Sequence, residues 1–267
     1  MPQSTLTGAA REILLTADPT AKAELSKAVL HAWKRREIDS IGSACAPDRP
    51  ALPEQPRLML PKDMPKRRSA GSQGNRVAML HAVAHIELNA INLAWDIICR
   101  FANDALPREF FDDWVQIGGE EAEHFLLLAE RLASMNASYG DLPAHDGLWQ
   151  AAESTQHNLL DRLAIVPLVF EARGLDVTPG MIRKFKNVGD KKSAAALQII
   201  YDEEIGHVAA GVRWYERQCQ REGKPPETTW KALVKQHYAG QLKPPFNEEA
   251  RTAANFPQSY YLMDIAD

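Results

Sequence analysis

The chain has 267 residues and a formal net charge of −4, with 45% hydrophobic and 25% charged residues. A chain of this length can bury a sizeable core, and its mild acidity argues against a dedicated nucleic-acid binder, whose domains are strongly basic. The three cysteines, Cys45, Cys99 and Cys219, include no C-x-x-C pair. Their number and spacing argue against a disulfide framework or a thiolate zinc site and favour a reducing compartment.

Neither a secretory signal nor a membrane span is evident in the sequence. The first residues, MPQSTLTGAAREILL, lack a basic region followed by a long apolar core. The longest uncharged apolar run covers residues 163–170, is interrupted by Pro167, and is far too short to cross a bilayer. We therefore expect a cytoplasmic protein that does not bind membranes.

The first 70 residues are predicted to form a helical arm followed by a proline-rich strap. Residues 1–40 are predicted to be helical, with a break near Asp18. Residues 41–65 contain six prolines, which exclude a regular helix and predict an extended segment that lies on the rest of the protein. The one basic cluster, Lys62 with residues 66–68, is interpreted as a solvated loop rather than a nucleic-acid contact.

Residues 71–221 are predicted to form an all-α four-helix bundle, followed by a C-terminal helix and tail over residues 222–267. The four helices are expected at about residues 74–103, 107–135, 148–173 and 191–221. Pro167 should kink the third of these helices, and residues 174–180 should interrupt it before a short helix at 181–187.

Six residues on these helices form a repeated pattern of one glutamate followed by Glu-x-x-His. The six predicted metal ligands are Glu87, Glu121, His124, Glu171, Glu204 and His207. Residues three apart on a helix share a face, and a bundle that holds two metal ions uses this set. Four buried carboxylates with only two imidazoles require cations among them, and iron or manganese suits these ligands better than zinc. The alternative is a structural bundle in which the same side chains pair as salt bridges.

The midpoint between Glu87 and Glu121 is residue 104, which lies in a predicted turn, so a helical hairpin would bring the two carboxylates to the same depth. We interpret Glu121 and Glu204 as bridging ligands and Glu87 and Glu171 as terminal ligands, with one histidine for each metal.

Three neighbouring residues are candidates for supporting roles. Glu120 and Glu203 could each accept the second ring N–H of a ligand histidine from the facing helix, or they could be surface charges. Tyr201 could lie beside the metals as a hydrogen-bond donor or redox-active group, or it could be a packed core tyrosine.

A second, polar stripe lies on another face of the first bundle helix. Its members are His81, His85, Asn89, Asn92 and Asp96. At 100° per residue, His85 points about 160° away from Glu87. We therefore interpret this stripe as a face that is hydrogen-bonded to the N-terminal strap rather than as further metal ligands.

Several segments resemble a bacterial ferritin-like family of unknown function over nearly the whole chain. They are EILLTADPTAK, HAVAHIELNAI, EEAEHF, PAHDGLW, EARGLDVTPGM, DEEIGHV and PPFNEEAR. The bundle alone is distantly similar to the di-iron tRNA hydroxylase that acts on hypermodified adenosine. The resemblance implies a ferritin-like bundle with an N-terminal helix, a strap and a C-terminal helical extension. It also implies a di-iron site at the six positions named.

These patterns favour an oxygen-activating oxidoreductase with two irons (a Mn/Fe pair is possible), acting as a hydroxylase or oxidase on an unidentified small molecule. Such an enzyme needs an electron donor or reductase, and we expect a monomer or homodimer. One alternative is a metal-handling bundle of ferroxidase type, although the strap and tail would obstruct a storage cage. A tRNA-modifying hydroxylase is a further alternative by analogy only, and the acidic net charge speaks against nucleic acid as a partner.

Overall fold

The computed structural model describes residues 5–60, 63–64, 70–102, 106–238 and 240–262. About 70% of the chain is helical, and no strand occurs in the described ranges, so the predicted all-α class is confirmed. The chain divides into two compact units, Met1–Trp149 and Gln150–Asp267. The predicted partition into residues 1–70, 71–221 and 222–267 stays a prediction, as does the ferritin-like arrangement of the four helices.

The first unit contains two short and two long helices: α1 (Leu6–Leu15), α2 (Pro19–Lys34), α3 (Gln73–Phe101) and α4 (Arg108–Ala133). Asp18 caps α2 by accepting a hydrogen bond from the Ala21 N–H, and Pro19 occupies the first turn, where its missing N–H costs nothing. This is the break predicted near Asp18. Helices α3 and α4 pack along their length, and α2 packs on α4.

The strap, residues 41–60 and 63–64 of the described chain, contains no α-helix and no strand, as predicted. Its backbone bonds to the unit include the Ala51 N–H to Leu14 O and the Met59 N–H to Ala144 O, both at 2.8 Å. The basic residues Lys62 and 66–68 and the predicted turn at 103–105 lie outside the described residues.

The polar stripe of α3 is buried against the strap and the loop after α4. All five of its members are buried. Arg100 binds the Asp96 carboxylate and donates to Pro47 O of the strap, each at 2.7 Å. His81 Nε2 accepts the Gly140 N–H at 2.9 Å. Asp96 is thus linked to the strap through Arg100, whereas His81 bonds directly to the loop after α4. A direct bond from this face to the strap stays a prediction.

The second unit begins within α5 (Gly147–Ser154). Its further helices are α6 (Leu159–Ile165), a π-helix (Val166–Glu171), α7 (Ala172–Asn187), α8 (Lys191–Glu222), α9 (Pro226–His237), α10 (Glu248–Ala253) and α11 (Gln258–Tyr261). The predicted helix over residues 148–173 is divided, since Asn158 caps α6 and separates it from α5. The irregularity expected at Pro167 is the π-helix.

The predicted interruption at residues 174–180 is wrong, because α7 runs unbroken through Pro179 and Gly180. A proline inside a helix removes the donor for the carbonyl four residues earlier, here that of Leu175. The side chain of Asn247 donates to this carbonyl at 3.0 Å. A donor from elsewhere in the unit thus offsets part of the cost that the sequence pattern suggests.

By length and composition, one helix in the described part of the chain, α3, could cross a membrane. However, 72% of its most apolar window is buried inside the protein, and the core helix of a globular protein meets the same criteria.

Candidate metal centre

The first unit brings three of the predicted ligands together. Glu87 lies on α3, and Glu121 and His124 lie one turn apart on α4. The Nδ1 atom of His124 is 3.2 Å from Glu87 Oε2 and 3.3 Å from Glu121 Oε2. One ligand atom from each of the three residues lies within 4.8 Å of the others. The i, i+3 spacing therefore places both α4 ligands on the face that meets Glu87.

This half-site is almost inaccessible to solvent, since the three side chains are only 1–3% exposed. Removing a carboxylate from water costs several kcal/mol unless a cation or a proton compensates it. Two such carboxylates that flank one imidazole offer oxygen and nitrogen donors in a compact group. This donor set fits a metal ion of the iron or manganese type.

In the second unit, Glu204 and His207 repeat the Glu-x-x-His arrangement on α8. Both are buried, and His207 Nδ1 is 3.6 Å from Glu204 Oε2. Glu87, Glu121, His124 and Glu204 are thus buried side chains of the kinds that could hold a metal ion. Glu171 is half-buried at the end of the π-helix. Within the described residues, neither Glu171 nor His207 joins a group of three ligand atoms within 4.8 Å.

The π-helix that ends at Glu171 packs closely on α8. A Cβ atom placed on Gly211, one turn after His207, would overlap the Pro167 ring, with Pro167 Cγ at 2.8 Å. Glycine therefore allows this approach, and any larger residue would push the two segments apart.

Glu120, Glu203 and Tyr201, the residues predicted to support the ligands, differ in their burial and hydrogen bonds. Glu120 is half-buried and its Oε1 accepts a hydrogen bond from Gln116 Nε2 at 2.6 Å. Glu203 is also half-buried, and a bond from either residue to a ligand histidine stays a prediction. The Tyr201 hydroxyl oxygen accepts a hydrogen bond from Asn247 Nδ2 at 2.9 Å.

Two polar residues, the buried Lys22 and the half-buried Asn247, were not identified from the sequence. Lys22 is 1% exposed, and burial lowers its pKa to about 7. No sequence signal separates it from the surface lysines of α2. Asn247 had a signal, because a proline at a helical position leaves a carbonyl that needs a donor from elsewhere.

Comparisons with known proteins agree on the family and give no function. The model of a family described as "Protein of unknown function (DUF455)" matches residues 15–262. An uncharacterised protein of Haemophilus influenzae is 40% identical over 213 residues, which are 78% of this chain and 74% of that protein. No solved structure matches the chain significantly. Because the family model covers nearly all of the sequence, the chain belongs to the DUF455 family of proteins of unknown function.

Proposed function

We propose that the protein is a non-haem di-iron carboxylate oxidoreductase that activates dioxygen and acts as a hydroxylase or oxidase on a small organic molecule. The proposed ligands are Glu87, Glu121, His124, Glu171, Glu204 and His207. We further propose an electron donor as partner, a cytoplasmic location, and a monomer or homodimer.

The observation that carries this proposal is the contact of His124 with both Glu87 and Glu121 in a fully buried position. A surface salt bridge would not need such burial, whereas a metal ion would compensate the two negative charges. The second unit supports the proposal because Glu204 and His207 are also buried one turn apart. Burial of this kind is typical of sites that exclude water from reactive chemistry.

When bound, the two irons would supply the electrons for oxygen reduction. The protein's part is to hold the ligands and shape the space around them. Ala84 and Ala90, which flank Glu87 on α3, are buried at 0% and 4% exposure. Their small side chains would leave room beside the carboxylate for an apolar substrate.

Anaerobic loading with Fe²⁺, followed by desalting and elemental analysis, tests the proposal. We expect two irons per chain in the wild type, and oxygen uptake when reductant and air are admitted. His237→Asn is the control, because the His237 Nε2 atom pairs with Asp161 Oδ2 at 3.1 Å and His237 is not a proposed ligand. This variant should retain both irons. Failure of the wild type to retain iron would refute the proposal. If the protein oxidises each Fe²⁺ once and then releases Fe³⁺ into solution, the metal-handling alternative is favoured.

A further inference from the structure

Asn247 connects two helices of the second unit through one side-chain amide. Its Nδ2 donates to Leu175 O on α7 at 3.0 Å and to Tyr201 Oη on α8 at 2.9 Å. Leu175 is one turn after Glu171, and Tyr201 is one turn before Glu204. The amide therefore lies one turn from a predicted metal ligand on each of two ligand-bearing segments.

The orientation of this amide is set by its backbone neighbours. Asn247 Oδ1 accepts the Ala250 N–H at 3.2 Å as the N-cap of α10, so the oxygen side must face a donor. The nitrogen side faces the Leu175 carbonyl, which can only accept. The Tyr201 hydroxyl is consequently the acceptor in its bond with Asn247, and its own proton is directed to another group.

The Leu175 carbonyl needs this donor because Pro179 has no N–H. In an α-helix the N–H of residue 179 would bond to the carbonyl of residue 175. A buried carbonyl without a partner destabilises the fold, because it has lost its hydrogen bonds to water and gained none in return. Pro179 and Asn247 are thus complementary, since one residue removes the helical donor and the other replaces it.

A strong anchor holds Asn247 in place. The Asp176 carboxylate, whose side chain is fully buried, accepts the Asn247 N–H at 2.9 Å and two bonds from Arg251 at 2.8 and 2.9 Å. Arg173 donates to Lys243 O at 2.7 Å. Residues 243–251, which we name the C-terminal brace, are therefore tied to α7 on both sides of Asn247.

We propose that Asn247 is a positioning residue for the candidate metal centre, through which the C-terminal brace sets the spacing of the Glu171 and Glu204 segments and the direction of the Tyr201 hydroxyl. This inference rests on the proposed function, because it concerns the same ligands. The brace acts on the segments of the terminal ligand Glu171 and the bridging ligand Glu204, so its loss should weaken the metal site of Glu171 more than the other site, which would share only Glu204.

The test is Mn²⁺ binding to the metal-free full-length protein, measured from the electron paramagnetic resonance signal of free Mn²⁺. Asn247→Ser keeps a capping oxygen for the Ala250 N–H but removes both amide donors. We expect the wild type to bind two Mn²⁺. The variant should bind one of them about tenfold more weakly and the other with a smaller loss, as when partners of metal ligands are lost. Tyr201→Phe should weaken the same site, and the double variant should be no worse than either single one.

Gln258→Ala is the matched control, because its amide lies in the same tail but bonds only to Glu248, at 2.8 Å on the surface, and it should bind Mn²⁺ like the wild type. The inference would be overturned if Asn247→Ser bound Mn²⁺ as tightly as the wild type, or if it weakened both sites equally. It would also be overturned if Tyr201→Phe bound Mn²⁺ as tightly as the wild type. If the wild type binds two Mn²⁺ tightly while a variant gives any of these results, the inference fails but the proposed function remains supported. A wild type that binds no Mn²⁺ or Fe²⁺ would overturn both.

Discussion

Lys22 offers the sharpest test of the energetics of the first unit, because it is a lysine buried to 1% exposure. Its Nζ donates to Asn92 Oδ1 on α3 at 2.5 Å, to Ala51 O of the strap at 3.3 Å and to Leu14 O at 3.4 Å. These acceptors are neutral, and no ion pair of Lys22 occurs within the part of the chain that is described. Burial therefore disfavours the ammonium form and lowers its pKa from 10.5 to about 7.

The sign of the pH dependence follows from this pKa. Between pH 7 and 10.5 the unfolded chain holds the Lys22 proton and the folded protein does not, so the free energy of unfolding rises with pH in this window. Below the pKa of Lys22 in the folded protein, Lys22 no longer makes the free energy of unfolding change with pH. One pKa unit corresponds to about 1.36 kcal/mol, so the full difference from 10.5 to about 7 would be about 5 kcal/mol. From pH 7.5 to 9.5 Lys22 should contribute a rise of about 2–3 kcal/mol.

Urea denaturation of wild type and Lys22→Met at pH 7.5, 8.5 and 9.5, with a chelator present, measures this contribution. Methionine keeps the packing of the side chain and removes the titration, so the difference between the two proteins should change by about 2–3 kcal/mol over this range. Lys34→Met, an exposed position on the same helix, should follow the wild type at every pH. A difference between Lys22→Met and wild type that does not vary with pH would refute the reasoning.

Four further substitutions have defined outcomes. His124→Ala removes the imidazole between two buried carboxylates. It should abolish iron retention, by elemental analysis, and lower the free energy of unfolding of the metal-free protein by about 3–5 kcal/mol. Arg251→Met leaves the buried Asp176 carboxylate with the partly exposed Arg173, at 3.4 Å, as its remaining ion-pair partner. It should cost about 3 kcal/mol in urea denaturation at pH 7; a cost below about 1 kcal/mol would contradict this. Gly211→Ala forces a close contact in the core and should cost about 1–3 kcal/mol. Gly206→Ala, where a Cβ meets nothing within 4 Å, should stabilise the same helix by up to about 1 kcal/mol.

The parts of the structure that depend on local spacing were predictable from the sequence. Asp18 followed by proline marks the start of α2 because both residues act within one helical turn. Glu121 and His124 lie on one buried face because i, i+3 neighbours share a face in any α-helix. Their meeting with Glu87 needed one further assumption, that a turn near residue 104 reverses the chain, and the contacts of His124 agree with it.

The parts that depend on distant partners were not predictable. Pro179 and Gly180 predict a break in any helix, and the break is absent where Asn247, 68 positions later in the sequence, supplies the missing donor. Glu171 was expected to match Glu87, but it ends a π-helix and is only half-buried. A lysine is usually a surface residue, and Lys22 is buried only because strap and helix acceptors converge on it.

Helix α3 connects these observations, since it carries the candidate metal ligand and the polar stripe on different faces. Its composition alone would suit a membrane span, yet hydrocarbon could not satisfy five polar side chains on one side. Two of the five, Asp96 and Asn92, are bonded by Arg100 and Lys22. These two cations also donate to strap carbonyls, Arg100 to Pro47 and Lys22 to Ala51. The strap is therefore linked to α3 on a different face of the helix from Glu87.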